Sequence, residues 1–301
     1  MGMKGRVGDS IHQWTGTGRN HEIFPAALAA RTGSQQILDA RAPFALARVF
    51  MAVKISLLSF LLPGFALAAP FVAIRDGESF TYKVGFSVFS HAGDIEISGA
   101  NPKDTADRIA ITVDTRSRGF VRGLYEFDNK AVADVELSSG RLLRVTENGS
   151  DPKRPIDTKF VIDYTARTAT FTDRVRTGRS NRLTLPEGGD PIDLISALVQ
   201  TRDWNLKPGE KREVVVQFGR DFYPITILAE GYEEVRTPLG RYRTLVLVPR
   251  MEKEPKGLFK RGGEVKVWIA QDGSRLPVKM QLKLNFGAAT LLLSKYQPPK
   301  G

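Results

Sequence analysis

Few residues in this chain of 301 are of the types that perform nucleophilic or acid–base chemistry. The sequence has no cysteine, so disulfides, thiolate metal sites and a lipid-modified cysteine are not expected. It has three histidines, His12, His21 and His91, and only His91 lies in the part that reads as folded. A Ser-His-Asp hydrolase needs such a histidine between an acid, here Asp94, and a nucleophile. No G-x-S-x-G motif accompanies it, so a turn histidine beside a solvated aspartate is the favoured interpretation.

Two pairs of carboxylates are close in the sequence, Asp190 with Asp193 and Glu233 with Glu234. Paired carboxylates are what a glycosidase requires, but these pairs resemble a helix cap and a strand surface. No spaced group of metal-ligating residues stands out, and the glycine pair before Asp190 lacks the strand and lysine of a phosphate-binding loop. The sequence therefore predicts no catalytic residue, no metal and no cofactor.

One segment has the composition of a binding site. Lys260 and Arg261 stand in the turn-like run Phe259-Lys-Arg-Gly-Gly263, shortly before Trp268. A basic loop beside an exposed tryptophan could contact an anionic headgroup or a glycan. The alternative is a tight turn followed by a strand tryptophan that packs on its neighbours.

The formal net charge of +11 and the pI of about 9.8 raise the question of nucleic-acid binding. Clustered lysine and arginine would favour phosphate binding. Here the basic residues alternate with acidic ones along predicted strands, and no strand combines aromatic and basic residues as an RNA-binding sheet does. A solvated basic surface is therefore predicted, with no nucleic acid as partner.

Residues 51–69 have the three parts of a secretory signal peptide. Lys54 supplies the positive charge, residues 55–62 are apolar, and Ala66-Leu67-Ala68 forms a cleavage site before Ala69. The apolar run is shorter than the ~20 residues that span a bilayer, so no transmembrane span is expected after cleavage. These features predict export to the periplasm.

Residues 1–50 are rich in glycine, alanine and arginine and show no strand alternation. An organelle transit peptide has a similar composition. The simpler interpretation is a non-native or disordered extension upstream of a start at Met51. The predicted organisation is thus an extension over 1–50, a signal peptide over 51–68 and a single β domain over 69–301. Its halves, 69–182 and 205–296, are joined by a helical segment.

Apolar residues recur at every second position through most of the β domain, the pattern of half-buried strands. The clearest examples are Phe80 to Val88 and Val278 to Phe286. A turn is predicted at residues 91–94, and a strand at Phe120 to Phe127. About a dozen strands with turns every 8–12 residues predict a mainly β protein with one large antiparallel sheet. A twisted sheet of that size must protect its edges, so we expect it to curl into a barrel or half-barrel.

One amphipathic helix is predicted over residues 190–202. Asp190 has the type of an N-cap, and Pro191 suits the first helical position. At ~100° per residue, Leu194 and Leu198 share an apolar face. The opposite, polar face consists of Asp193, Ser196, Ala197, Gln200 and Thr201. The run Lys207-Pro-Gly-Glu210 has the sequence of a type II turn. The helix is expected to plug or flank the barrel.

Several short motifs resemble those of a known family. They follow in order as the helix at 190–198, Leu206-Lys-Pro-Gly-Glu210, Thr237-Pro-Leu-Gly-Arg-Tyr242, Gly257-Leu-Phe-Lys-Arg-Gly262, Val267-Trp-Ile269, Arg275-Leu-Pro-Val278 and Phe286-Gly287. This order resembles the exported bacterial family called domain of unknown function 3108, over roughly Phe71 to Tyr296. The resemblance implies a periplasmic β-rich protein and no catalytic residues.

Two functions from different classes follow. The first is a non-enzymatic envelope protein, which either shelters a lipid-like or apolar ligand inside its sheet or docks a protein partner as a scaffold. In the ligand version, Lys260, Arg261 and Trp268 would contact the headgroup. The second is a hydrolase that acts on cell-envelope polymers through carboxylates.

Overall fold

The structure, a computed structural model, describes residues 73–103, 105–150, 154–187, 189–252, 255, 259, 262–284 and 287–300. The predicted extension, the signal peptide and its cleavage site between Ala68 and Ala69 lie outside the described residues. So do Lys260 and Arg261.

Fifteen strands form one sheet in the described part of the chain. The strands before the central helix are β1 (Ser79–Phe86), β2 (Phe89–Ala100), β3 (Arg108–Ser117), β4 (Asp128–Glu136), β5 (Leu142–Ser150), β6 (Ile156–Asp163), β7 (Thr168–Asp173), β8 (Asn181–Thr184) and β9 (Ile192–Asp193). Those after it are β10 (Lys211–Phe218), β11 (Asp221–Thr237), β12 (Gly240–Arg250), β13 (Glu264–Ala270), β14 (Pro277–Leu284) and β15 (Gly287–Gln297). The helices are α1 (Gly119–Leu124) and α2 (Leu194–Gln200), and a single 3₁₀ turn spans Thr177–Arg179.

The sheet is a meander in which strands consecutive in the chain pair with each other, except β8 and β9. Its order is β8-β7-β6-β5-β4-β3-β2-β1-β15-β14-β13-β12-β11-β10-β9. The first and last long strands, β1 and β15, pair antiparallel in the middle of the sheet. All the pairings are antiparallel except the short one between β9 and β10. The two edges, β8 and β9, are therefore consecutive in the chain.

The sheet curls until its outer strands approach each other through side chains. The Asn181 side-chain amide, on β8, donates to the carbonyl of Arg220 in the β10–β11 turn at 3.4 Å. Phe160 on β6 packs edge-to-face on Phe222 of β11, with ring centroids 5.6 Å apart. No ladder joins β8 to β9 in the sheet order, so the barrel is open at this seam. The predicted class, a large antiparallel sheet curled into a half-barrel, is confirmed.

The predicted alternation accounts for much of the core. Phe80, Tyr82 and Val84 of β1 are buried, as are Val278, Met280 and Leu282 of β14. The predicted hairpin around residues 272–274 is present, with Val265 opposite Leu282 and Val267 opposite Met280. The type II turn before β10 is also confirmed, because Gly209 has φ +89° and Glu210 N–H donates to the Lys207 carbonyl at 3.0 Å.

The prediction for the start of β2 was wrong. The chain reverses at Ser87 and Val88, between paired Phe86 and Phe89, and His91 to Asp94 belong to β2. Val88, predicted to be inward-facing, is 86% exposed. No glycine, asparagine or aspartate marks this turn, and Ser87 takes the left-handed φ of +51° that such residues usually supply. The period-two pattern therefore continued past the end of the strand.

The strand predicted at Phe120 to Phe127 is instead α1 followed by an extended segment. Gly119 has φ +52°, a conformation that turns the chain out of β3 and into the helix. Within α1, Val121 is buried, whereas Phe120 and Leu124 share an exposed face four residues apart. Strand-like composition misled the prediction because a six-residue helix is too short to show a helical period.

Helix α2 is shorter than predicted and begins later. Its N-cap is Asp193, whose carboxylate accepts from the Ser196 N–H at 3.1 Å and from the Ser196 hydroxyl. Residues 192–193 are extended because they pair with β10, so Pro191 precedes the helix. Asp190 instead forms an ion pair with Arg141 at 2.6 Å. Neither helix in the described residues has the length and hydropathy of a membrane span.

The burial of α2 also does not follow the predicted apolar and polar faces. Ser196, Ala197 and Thr201, assigned to a polar face, are as buried as Leu194 and Leu198. Helix α2 touches β9 and β10 on one side and β3 and β4 on the other. It therefore lies inside the curl of the sheet, as a plug rather than a cover.

Candidate interaction surface

Trp268 is buried, and its surroundings explain it without a ligand. Only 3% of the residue is exposed. Its indole N–H donates to the Glu233 carboxylate at 2.7 Å, and the Lys279 ammonium lies 4.0 Å from its ring centroid. These contacts satisfy both the polar edge and the aromatic face of the side chain. The exposed tryptophan on which the predicted headgroup site depended is therefore absent.

His91 and Asp94 do pair, but on the outer surface of β2. The His91 Nε2 lies 2.7 Å from Asp94 Oδ1, and Arg118 Nε donates to Asp94 Oδ2 at 2.8 Å. Partial burial would raise the pKa of Asp94, but the hydrogen bonds and charges of His91 and Arg118 outweigh it and hold that pKa below 3.8. The acid is thus engaged by one histidine and one arginine, which is the arrangement of a surface polar cluster.

The carboxylate pairs do not converge on a cleft. Asp193 caps α2 inside the protein, whereas Asp190 is bound to Arg141 nearer the surface. Glu233 accepts from Trp268, and Glu234 lies 3.5 Å from Arg241 in an exposed ion pair. In the described ranges, no three histidine, aspartate or glutamate side chains come together as metal ligands would. Each carboxylate has a structural partner, so the geometry offers no acid–base pair.

The described side chains that face the interior of the half-barrel are buried. Residues that face it from opposite sides, such as Phe80, Ile111, Ala133 and Leu194, expose 1% of their surface or less. A space wide enough for an acyl chain would leave its lining accessible. The described inward side chains are therefore buried against α2 and against each other.

One end of the half-barrel, here called the sealed end, is closed by Arg202. This residue follows α2, and its guanidinium pairs with the Glu78 carboxylate at 2.8 Å. It also donates to the carbonyls of Ala73 at 2.6 Å and Ser274 at 3.2 Å. Because only 14% of the Arg202 side chain and 2% of the Glu78 side chain are exposed, the pair is effectively buried.

Neighbouring groups complete the seal. The Tyr296 hydroxyl on β15 donates to Glu78 at 2.9 Å, and burial together with this carboxylate raises the Tyr296 pKa. Arg275, in the β13–β14 turn, donates to the carbonyls of Arg202 and Trp204. The chain before β1, the exit from α2 and the β13–β14 turn are thus joined by charged hydrogen bonds.

The opposite end carries the most exposed large apolar side chains among the described residues. Val88, at the tip of the β1–β2 hairpin, is 86% exposed, and Phe120, on α1, is 68% exposed. The Phe120 ring stacks on Phe89 with centroids 5.8 Å apart, and Leu124, 44% exposed, lies one turn further along α1. We call Val88, Phe89, Phe120 and Leu124 the apolar cluster.

Polar groups hold the apolar cluster in place. Arg122, on α1, bonds to both oxygens of Asp128 at 3.0 and 2.8 Å and to Glu126. The hydrogen bonds from Arg122 hold the pKa of Asp128 below 3.8. The Arg118 N–H donates to the Ala92 carbonyl at 2.9 Å, which ties the start of α1 to β2. The apolar side chains are therefore exposed on a positioned element.

This surface was not predicted from the sequence. The alternating pattern predicts Val88 in the core and Phe120 in a strand, so the two do not appear as neighbours. The available signals were the doublet Val88-Phe89 beyond the alternating run, and the two glycines, Gly119 and Gly123, that bracket Phe120.

The sequence of residues 80–294 matches the profile of a family described as "Protein of unknown function (DUF3108)". The chain belongs to the DUF3108 family. The predicted resemblance is thereby confirmed over most of the β domain. Comparison with curated proteins gave no match.

Solved structures similar to this DUF3108 protein share little sequence with it. A β-barrel-like protein of domain of unknown function DUF1849 from Brucella abortus has 7% identity and a TM-score of 0.49, and the match covers 75% of this chain and 100% of that one. A protein of YmcC-like fold from Bacteroides fragilis, predicted to be exported, has 12% identity and a TM-score of 0.28, over 76% and 99% of the chains. A predicted lipoprotein from Parabacteroides distasonis has 7% identity and a TM-score of 0.28, over 77% and 100%.

Proposed function

We propose that this protein is an exported, non-enzymatic envelope protein that acts as an interaction scaffold through its outer surface. The observation that supports this most is the contrast between the buried inward side chains and the exposed apolar cluster. Scattered apolar residues are normal on a protein surface, but a contiguous group on two positioned elements marks an interaction site.

Of the two versions weighed from the sequence, the scaffold is better supported than the ligand carrier. Barrels of ~8 strands can be filled by their own side chains, and wider ones begin to leave room. Here α2 contacts β3, β4, β9 and β10 of a fifteen-stranded sheet, so the helix occupies part of that room. Asp193 and Ser196, two of the buried polar residues, bond to each other at the start of α2.

The envelope location rests on the N-terminal sequence. Residues 51–69 have the charge, apolar run and Ala66-Leu67-Ala68 site of a signal peptide. Export would deliver the folded half-barrel to a compartment bounded by membranes. Mass analysis of the protein recovered from the periplasm should find Ala69 as the first residue, whereas a species that retains residues 1–50 would contradict this.

Native mass spectrometry of protein purified from its own envelope tests the scaffold against the carrier. We expect the mass of the polypeptide alone, with no acyl-chain ligand released on lipid extraction and no binding of a fluorescent fatty acid. A stoichiometric lipid that survives purification, and that a substitution on α2 such as Ala197→Leu displaces, would overturn the scaffold. Ala197 is fully buried, so added volume there would compete directly with an interior ligand.

A further inference from the structure

We infer that the apolar cluster docks onto the surface of a phospholipid bilayer, with Val88, Phe120 and Leu124 inserted among the headgroups. The inference deepens the proposed function and rests on it, because it names the partner of the same surface. Three features of the cluster identify this partner: its shape, its area and its charges.

The cluster projects from the protein. Val88 occupies the tip of a two-residue hairpin, and Phe120 and Leu124 lie on the outward face of α1. The buried Val121 anchors the other face of that helix in the core. A protein partner would need a groove shaped to receive such projecting side chains. A bilayer interface accepts them without shape complementarity, as it accepts the apolar face of an amphipathic helix.

The exposed area of the cluster is smaller than a whole protein–protein interface, so a protein partner would need further surface beyond it. From the exposed fractions of Val88, Phe120 and Leu124, the accessible apolar surface is roughly 350–400 Å². A specific protein–protein interface, including one with a second copy of this chain, buries about 800 Å² on each partner. Insertion into a bilayer has no such minimum, and a few apolar side chains give reversible attachment.

Arginine side chains lie where lipid phosphates would be. Arg118, 45% exposed, directly precedes α1 and uses its Nε on Asp94. Arg116, also exposed, stands opposite Asp94 and Asp128 on the neighbouring strands. Guanidinium groups bind phosphate well. The acidic neighbours keep the region close to neutral, so apolar insertion supplies most of the affinity and the salt dependence is weak.

Co-sedimentation with vesicles tests the inference. The protein purified from its own envelope is mixed with vesicles of phosphatidylethanolamine and phosphatidylglycerol, and separately with vesicles of phosphatidylcholine. We expect binding to both, little changed between 0.1 and 0.5 M salt, and at least tenfold weaker in the variant Val88→Ser with Phe120→Ser. Leu239→Ser is the matched control, because Leu239 is 42% exposed in the β11–β12 turn at the sealed end.

Any apolar N-terminal residue left after processing is the same in the native protein, the double variant and Leu239→Ser. The test therefore rests on the difference in vesicle binding between these three proteins. The unfolding transition of each variant shows that it is folded. Equal binding by the double variant, an equal loss in Leu239→Ser, or no binding by the native protein would each overturn the bilayer inference. If the native protein ignores vesicles but position 120 cross-links to a protein in cells, the inference fails and the scaffold function stands.

Discussion

The two ends of the half-barrel differ in what their loops do. At the sealed end, Arg202 and Arg275 bind carbonyl groups and a carboxylate, so their side chains stabilise the fold. At the other end, α1 and the β1–β2 hairpin present the apolar cluster to solvent. Both ends contain apolar and charged residues, so composition alone does not distinguish them.

The difference shows how exposure separates stability from function in this protein. Arg202 is polar yet buried, and its removal would leave Glu78 without its cation in the interior. Phe120 is apolar yet exposed, and its removal would cost the fold little. A buried polar residue or an exposed apolar residue that has no compensating contact is a candidate for function. Arg202 has compensating contacts, whereas those of Phe120 are partial.

Replacing Arg202 should have the largest effect. Arg202→Ala leaves the buried Glu78 carboxylate unpaired, and such a loss costs ~3–5 kcal/mol in the free energy of unfolding. Urea denaturation measures it. Arg118→Ala, at the other end, is the matched control and should cost less than about 1 kcal/mol because its ion pair is exposed. Similar losses at both positions would remove the distinction between the two ends.

Helix α2 should come next, because it packs on strands from both halves of the sheet. Leu198→Ala deletes buried methyl groups and should cost ~2–5 kcal/mol, measured by the same denaturation. Gln200, the least buried of the helix residues whose burial the structure describes, should tolerate alanine at less than about 0.5 kcal/mol. A loss at Gln200 that equals the loss at Leu198 would show that the helix is oriented differently.

Trp268 should behave as a packing residue. Trp268→Phe keeps the ring under Lys279 but removes the N–H that Glu233 accepts, so we expect a cost of ~1 kcal/mol and unchanged vesicle binding. Lost vesicle binding in a folded Trp268→Phe protein would instead restore the headgroup site predicted from the sequence.

Acidification should weaken the support of the apolar cluster modestly. The pKa of Asp128 is lower in the folded protein than its ordinary 3.8, so its stabilisation is complete above that pH and is lost as the pH falls through the folded value. An exposed pair of this kind contributes ~0.2–1 kcal/mol. The stability advantage of the native protein over Asp128→Asn should therefore shrink below about pH 4. A stability advantage over Asp128→Asn that grows on acidification would contradict a lowered pKa of Asp128 in the folded protein.

Substitutions within the apolar cluster should affect stability least of all. Val88→Ser and Phe120→Ser remove surface that is mostly exposed already, so each should change the free energy of unfolding by less than about 0.5 kcal/mol. Thermal or urea unfolding measures this. A loss of 2 kcal/mol or more at either position would make the cluster part of the core and not an interaction surface.

Elements with long sequence patterns were predicted correctly, and elements with short patterns were not. The alternation in β1 and β14 runs long enough to assign the inward face, and the hairpin between β13 and β14 followed from Asp272-Gly273 between two such runs. The short elements failed. Helix α1 has six residues, and the turn at Ser87 and Val88 uses a serine at positive φ. Their sequence signals, the doublet Val88-Phe89 and the glycines at 119 and 123, are too short to outweigh the alternation around them.

The candidate site was less predictable than the fold for a related reason. Its residues come from a turn and a helix whose sequences have the pattern of strands, so their proximity depends on tertiary structure. The start of α2 shows the same limit, because pairing of Ile192 with Val216 keeps the chain extended past Asp190 and Pro191. The composition of the Lys260, Arg261 and Trp268 segment was visible, but the burial of Trp268 was not.

Site-specific photo-cross-linking in the producing cell tests most directly whether the apolar end is an interaction surface. A photoreactive residue is placed at position 120 in the apolar cluster and, in a second strain, at position 239 at the sealed end. The two native residues, Phe120 and Leu239, are both exposed and apolar, so the positions differ in location more than in chemistry. We predict adducts with an envelope component at position 120 and none at position 239. Adducts of equal yield at both positions, or none at position 120, would contradict the account.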